Sequence, residues 1–334
     1  MHYKRKIFLL ALLVLVINLI CIGCMPESPI SNSPGEDASL EDINFGVHFI
    51  DVGQGDCSLI TFSDGVSIMI DCGDADEKVA SKILDYLEKY EINELTYLLL
   101  THPDTDHIGS AKAVLDKVSV KNVILPDITS NLIDEFTLLK EIQQMCNQKH
   151  INQIPSKLGI EISGEDYLVA FLSPAPKEIS KSPYRDLLLN PTDSTVRNNI
   201  SPIVFVKYKN TTFLFTGDAG TSQESYVILN YEAGLYSQMF KSELGEIKLE
   251  DIDYLKVAHH GSEDCTSTKF LQMLNPKNAI ISVGGNNVFG HPSPSLLYRL
   301  EYTVPNCALY RTDVCGDIFI QIGTDGRVQL KKEI

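Results

Sequence analysis

Short apolar runs that end in polar turns recur along this chain, with amphipathic stretches between them. Phe45 to Ile50 alternates and closes on Asp51-Val52-Gly53-Gln54-Gly55-Asp56, where two glycines permit a tight turn with backbone close to a ligand. Ser58 to Phe62 and Val66 to Asp71 read as a hairpin across Ser63-Asp64-Gly65. Ala80, Ile83, Leu84 and Leu87 then fall at i, i+3, i+4 and i+7, which predicts a helix over Glu77 to Tyr90 laying one stripe on a sheet. Tyr97-Leu98-Leu99-Leu100 is short enough for a buried strand, Gly109 to Lys117 reads as a helix and Asn122 to Leu125 as a further strand. Leu132, Phe136, Leu139, Ile142 and Met145 form another helical stripe between Asn131 and Asn147, and Tyr167 to Leu172 is a strand. Residues 173 to 198 are a polar, proline-containing connection, expected to be disordered or a binding wall.

The second half repeats that rhythm. Ile203 to Tyr208 and Thr212 to Thr216 form an apolar hairpin around Lys209-Asn210, and Tyr254 to Ala258 and Ala279 to Val283 are strands. Ser293 to Glu301 is helical, and the strands Ala308 to Tyr310, Asp317 to Ile322 and Val328 to Leu330 close the chain. Three of these strand ends deliver chemistry. After Leu100 comes Thr101-His102-Pro103-Asp104-Thr105-Asp106-His107, whose imidazoles and carboxylates are the ligand types for first-row divalent cations. Gly217-Asp218 ends the second hairpin and His259-His260-Gly261-Ser262 follows the next strand, while His291 stands past a glycine- and asparagine-rich turn.

Composition and the chain's start add context. The 334 residues, 44% hydrophobic and without tryptophan, suffice for one large domain or two small ones. Lys4, Arg5 and Lys6 precede an apolar run from Ile7 to Ile20 and then Cys21-Ile22-Gly23-Cys24, the layout of a secretory signal. Cys24 after Gly23 resembles the lipobox of bacterial lipoproteins, with Cys21 where leucine is usual, so residues 1–24 are expected to be a lipoprotein signal peptide. An uncleaved anchor is the alternative; either way the body lies outside the cytoplasm. Residues 25–42 read as a flexible linker and 43–334 as the folded domain. Net charge is −16, about −19 without the signal, which disfavours loose electrostatic binding to nucleic acid or anionic membrane. A nuclease is not excluded, since bound cations offset charge locally and Arg197, Lys207, Lys209, Arg299 and Arg311 are candidates to line a cleft. Cys57, Cys72, Cys146, Cys265, Cys307 and Cys315 permit disulfides in an exported chain; Cys57 with Cys72 and Cys307 with Cys315 are the pairings considered.

Together the motifs FIDVGQGD, THPDTDHIGS, LFTGDA, LKVAHHGS, SVGGNN-x-x-GHPSPS and RTD-x-x-G carry a resemblance to the metallo-beta-lactamase superfamily, and within it to the hydrolase domain at the C-terminus of ComEC competence proteins. They run in that family's order from Phe45 to Gly316. The resemblance implies an α/β fold of four layers, an αββα sandwich with two sheets face to face and helices outside, and a two-metal site along one edge. The superfamily's H-x-H-x-D-H reads H-x-D-x-D-H here, so Asp104 replaces a histidine, and an oxygen ligand makes manganese a rival to zinc. His150 is a doubtful further ligand, Asn198-Asn199-Ile200-Ser201 stands for the N-D/N-x-S motif, with Pro202 in place of an apolar strand residue, and Cys265 replaces a small hydroxyl residue.

The implied mechanism is metal-assisted hydrolysis. His102, Asp104, Asp106 and His107 divide between two cations (Zn or Mn), Asp218 bridges them, and His259 or His260 completes the second site. A bridging hydroxide would attack a phosphodiester, with Asp106, His260 and His291 as catalytic residues and the free histidine of the pair or His291 as proton donor. Asp51 and Asp56 would orient ligands or simply shape the turn. The leading reading is an exported phosphodiesterase or nuclease, its substrate a phosphodiester such as DNA, anchored to the membrane through lipidated Cys24 and with no protein partner implied. The alternatives are an envelope hydrolase acting on phosphorylcholine or teichoic-acid esters, and a surface binding protein without turnover; beta-lactam hydrolysis fits the motifs less well.

Overall fold

The computed structural model describes residues 43–129, 132–241, 244 and 246–333. The signal peptide, Cys24 and the linker therefore lie outside the described residues. No helix among the described residues is long and apolar enough to cross a membrane.

Two sheets carry the fold. The first holds eight strands in the order β15-β14-β1-β2-β3-β4-β5-β6: β1 (Ile43–Phe49), β2 (Ser58–Phe62), β3 (Ser67–Ile70), β4 (Glu94–Leu99), β5 (Ser119–Pro126), β6 (Asn152–Ser156), β14 (Asp317–Gly323) and β15 (Val328–Glu333). The second has the order β13-β12-β11-β10-β9-β8-β7: β7 (Glu161–Ser163), β8 (Tyr167–Phe171), β9 (Val204–Tyr208), β10 (Thr211–Phe215), β11 (Tyr254–Lys256), β12 (Asn278–Ile281) and β13 (Ala308–Arg311). In each sheet an antiparallel half joins a parallel half, β3 to β6 in the first and β10 to β13 in the second.

Their alternating side chains sort into three apolar clusters, which makes four layers. Between the sheets Phe45, Phe49, Val206, Tyr208, Phe213 and Ile320 share one core. Phe45 stacks on Tyr208 with ring centroids 4.5 Å apart and Phe62 on Tyr167 at 3.8 Å, so aromatic pairs fasten one sheet to the other. Outside the first sheet lie α1 (Glu77–Lys89), α3 (Ala111–Lys117) and α4 (Thr137–Gln148), which bury Ile83, Leu87, Val114, Leu139 and Ile142. The short α2 (Thr105–Ile108) precedes α3. Outside the second sheet lie α7 (Thr221–Glu232), α8 (Leu235–Met239), α9 (Thr268–Leu274) and α10 (Pro294–Thr303), which bury Val227, Tyr236, Phe270, Leu271 and Leu296. The α/β sandwich expected from the resemblance is present.

Local departures have physical reasons. The stretch 173–198 is not structureless: it holds α5 (Pro183–Leu189), with proline in the first turn, and α6 (Ser194–Asn198), capped by the Asp193 side chain. β6 escapes the sequence pattern because it is polar, contains Pro155 and lies at the sheet edge. The disulfide pairings do not form, and all six cysteines described are free. Ser58 pairs with Ile70, which sets Cys57 level with Asp71 rather than Cys72. Cys307 leads into β13 of one sheet, whereas Cys315 ends α11 (Thr312–Cys315) and leads into β14 of the other.

Candidate metal centre

The carboxyl ends of β3, β4, β10, β11 and β12 open on one end of the sandwich, and each releases a turn that carries polar side chains. Crevices outside the carboxyl ends of parallel strands are where α/β sheets place ligands. β3 is followed at once by Asp71, which is fully buried in the left-handed region at φ 60°. Its carboxylate accepts hydrogen bonds from the Thr101 amide (2.8 Å), the Thr101 hydroxyl (2.7 Å) and His107 Nδ1 (2.8 Å). Thr101 and His107 are thus held from behind, and His107 Nε2 points inward to within 3.2 Å of Asp218 Oδ1.

The other carboxylate oxygen of Asp218 faces two histidines: His102 Nε2 is 3.8 Å from Oδ2 and His259 Nε2 is 3.7 Å away. His102 Nδ1 lies 3.2 Å from the hydroxyls of both Thr101 and Ser201. On the far side His260 directs Nδ1 to the Ser282 carbonyl (3.0 Å) and Nε2 to Asp106 Oδ2 (3.2 Å). Three donor sets result, His102 with His107 and Asp218, Asp106 with His107 and His260, and Asp56 with Asp71 and His107, each with its ligand atoms within 4.8 Å of one another. His259 and His260 both adopt φ 51°, a conformation uncommon for residues other than glycine, which turns the two rings from one strand end into the same cluster.

These donors fit a divalent cation. His107 and His260 each give Nδ1–H to an outer acceptor, so their inner nitrogens, when neutral, present lone pairs to carboxylate oxygens. Lone pair against lone pair is tolerated only with a proton or a cation between. The buried inner nitrogens of His102 and His107 and Asp218 Oδ1 make no hydrogen bond. In the absence of a cation, protons take that place. Burial pushes His107 and His260 down, but Asp218, with Asp71 for His107 and Asp106 and Asp56 for His260, outweighs it and lifts them, His260 to about 10. Burial also raises Asp218, which the facing imidazolium charges nonetheless hold well below the usual carboxylate range. Outer partners that fix imidazole orientation are the common support of metal ligands.

Other expected residues sit elsewhere. Asp104 gives both oxygens to the guanidinium of Arg197 on α6, at 2.5 and 3.1 Å, and is not grouped with His102. His291 stands at the mouth, its ring 5.4 Å from His259 and 6.5 Å from His260. His150 is exposed at the end of α4, outside the cluster. Asp51 accepts from the Gly53 amide at 3.1 Å and shapes its own turn. The candidate cleft cations are committed elsewhere: Arg299 to the carbonyls of Glu263, Cys265 and Thr266, Arg311 to Asp313, Lys207 to the Leu244 carbonyl and Lys209 to Asp166.

Asp71 and Lys256 were not singled out from sequence. Asp71 carries part of the signal of Asp218, a carboxylate just past a strand end, with Gly73 two residues on rather than a glycine beside it. Lys256 lies between Leu255 and Val257 and gives no sequence signal, yet its ammonium is buried 2.7 Å from Asp56 Oδ2. Asp56 Oδ1 in turn lies 3.3 Å from His260 Nδ1. Gly55, at φ 151°, lets that turn approach the ligand loop, since a Cβ there would lie 2.5 Å from the Asp106 carbonyl.

The chain is similar to ComE operon protein 3 of Bacillus subtilis (strain 168), 29% identical over 292 residues that cover 81% of this chain and 32% of that protein. It is also similar to Recombination protein 2 of Haemophilus influenzae (strain ATCC 51907 / DSM 11121 / KW20 / Rd), 27% identical with 84% of this chain and 29% of that protein covered. The chain thus spans about a third of the length of these relatives. Among solved structures, a metallo hydrolase from the hyperthermophilic archaeon Ignicoccus hospitalis KIN4/I matches over 86% of this chain and all of that one, with 11% identity and a TM-score of 0.45. Residues 50–285 match the family profile described as "Metallo-beta-lactamase superfamily". With that match spanning more than half its length, this chain belongs to the metallo-beta-lactamase superfamily, as a hydrolase with relatives among competence proteins.

Proposed function

We propose that the chain is a metal-dependent phosphodiesterase of nuclease type, using two divalent cations held at the cluster. The observation that carries this is the position of Asp218: its two carboxylate oxygens face different histidines, Oδ1 toward His107 and Oδ2 toward His102 and His259. A carboxylate so placed suits a bridge. On this reading His102, Asp106, His107 and His260 would hold the two cations together with Asp218, with His259 or Asp104 as further donors. Zinc and manganese both suit this mixture of imidazole and carboxylate. Bound cations would supply the charge that activates water and stabilises the oxygens of an in-line displacement at phosphorus.

The chain's own residues do the remainder. Asp71 and the Ser282 carbonyl hold His107 and His260 in the tautomer that offers Nε2 inward. His260, paired with Asp106, belongs with the ligands, and this leaves His291, at the mouth, to give a proton to the departing alkoxide. Support for a nucleic-acid phosphodiester comes from the relative named Recombination protein 2 and from Competence protein ComA of Neisseria gonorrhoeae, 30% identical over 113 residues that cover 34% of this chain. Export and tethering through Cys24 rest on the sequence pattern of residues 1–24. The test is hydrolysis of bis-p-nitrophenyl phosphate and of single- and double-stranded DNA by the domain from residue 43, stripped of metal and resupplied with zinc or manganese. Cleavage that depends on metal and falls at least about a hundredfold in Asp106→Ala supports the reading. Hydrolysis of p-nitrophenyl phosphorylcholine alone would replace it with an envelope hydrolase.

A further inference from the structure

The turn between β12 and α10 carries an apolar tip that the cluster does not use. Val288 is 93% exposed and Phe289 65% exposed, beside a polar, buried centre. Two adjacent large apolar side chains left this exposed add nothing to the core and offer a contact surface beside the site. The tip is also built to stay in place. The Asn287 side chain donates to the carbonyls of Gly284 (2.9 Å) and His291 (2.6 Å) and accepts from the amides of Phe289 (3.2 Å) and His291 (3.0 Å). At its base the Gly284 amide donates to Gln54 Oε1 at 3.2 Å, which ties the turn to the loop after β1. Phe289 therefore stands at a fixed place, its ring stacked on His291 with centroids 5.8 Å apart and planes inclined by 25°.

From Asp218 the path to Phe289 runs through two ring contacts, His259 to His291 at 5.4 Å and His291 to Phe289. The electrostatics argue in the same direction. Net charge is −16, and Arg197, Arg299, Arg311, Lys207 and Lys256 are each bound to a carboxylate or carbonyl. With these five side chains engaged, the metal centre and stacking are the contacts left here to hold a nucleotide.

We infer that Phe289, carried on the Asn287-braced turn, is a stacking platform for the unpaired base of the substrate strand and makes the site selective for single-stranded or frayed phosphodiesters. This rests on the phosphodiesterase reading above. Base stacking on an aromatic side chain is tolerant of sequence, so discrimination would fall between strands with and without accessible bases. Phosphorylcholine is disfavoured as occupant because Phe289 offers one face stacked on an imidazole, with no second aromatic wall described, whereas a quaternary ammonium is held in a cage.

The test is equilibrium binding of fluorescein-labelled tetrathymidylate, and of the abasic deoxyribose phosphate tetramer of equal charge, to zinc-loaded protein. Phe289→Ala weakens tetrathymidylate binding about tenfold more than abasic binding, and Phe289→Trp restores it. Equal losses on both tetramers, or none on either, overturn the inference, as does wild-type affinity that is the same for both. Turnover is read in parallel: absence of hydrolysis with the base-dependent binding difference retained would sink the phosphodiesterase reading and leave the platform standing.

Discussion

Replacing Lys256 with methionine removes one charge from a buried pair and keeps the length of the side chain. Lys256 and Asp56 expose 2% and 6% of their side chains, with Nζ 2.7 Å from Asp56 Oδ2 and 3.1 Å from the Val257 carbonyl. Burial alone would raise Asp56, and Lys256 first, then His260, hold it well below the ordinary carboxylate value instead. Without the ammonium the carboxylate stays buried with His260 at 3.3 Å and, after it, His107 to balance it. Breaking a buried pair in this way costs about 3–5 kcal/mol, and His260 argues for the lower end, about 3 kcal/mol. The exposed pair Lys112–Glu141, at 47% and 45% side-chain exposure, is the internal control; Lys112→Met should cost less than about 1 kcal/mol. The assay is urea unfolding of the metal-free domain from residue 43, followed by circular dichroism. The double variant Lys256→Met with Asp56→Leu should recover at least about 2 kcal/mol relative to the sum of the single changes, because both charges are gone. A loss below about 1 kcal/mol in Lys256→Met, or strict additivity in the double variant, would refute the reasoning.

A pH dependence follows from His48, buried against Phe319 with Nδ1 2.8 Å from the Tyr86 hydroxyl, and with Tyr90 and the Lys89–Glu333 pair nearby. Burial first, and then the Lys89 charge, push it down to about 3, so the unfolded chain binds the extra proton below pH 6.5. That stability contribution is complete above pH 6.5 and is lost as pH falls toward 3, by up to about 1.4 kcal/mol per pH unit. Urea midpoints at pH 6.5 and 5 should show a shallower decline in His48→Gln, and identical slopes would contradict this. At the mouth, Arg197→Ala frees both oxygens of Asp104. Calorimetric titration should then show tighter binding of the weaker cation, about threefold or more; weaker binding would mean that Asp104 serves Arg197 alone.

How far the sequence reveals this molecule depends on where the determining partner lies. The hairpin of β2 and β3, the stripe of α1 and the helix after Ser293 are legible because their signals are local. Ser293 caps that helix by accepting from the Leu296 amide, as its position before Pro294 suggests. The ligand turns are legible as well, since each follows an apolar strand. By contrast α7 shows no clean stripe: it buries Gln223 and Glu224 beside Val227 and Ile228, and Glu224 is satisfied by the amides of Thr266 and Ser267. Only the fold supplies those partners. Lys256 reads as an ordinary strand lysine because Asp56, which explains it, lies 200 residues away. Asp104 illustrates the same limit. Its place in H-x-D-x-D-H suggests a ligand, while Arg197, from a stretch without sequence periodicity, engages both its oxygens.

Metal stoichiometry tests the central claim most directly. The domain from residue 43, dialysed against zinc or manganese and freed of loose ions, is assayed by inductively coupled plasma mass spectrometry alongside Asp218→Ala. The account predicts about two ions per wild-type chain, and at most one in the variant with hydrolysis of bis-p-nitrophenyl phosphate lost. A wild-type chain that saturates with a single ion, or an Asp218→Ala chain that keeps two ions and its turnover, would contradict it.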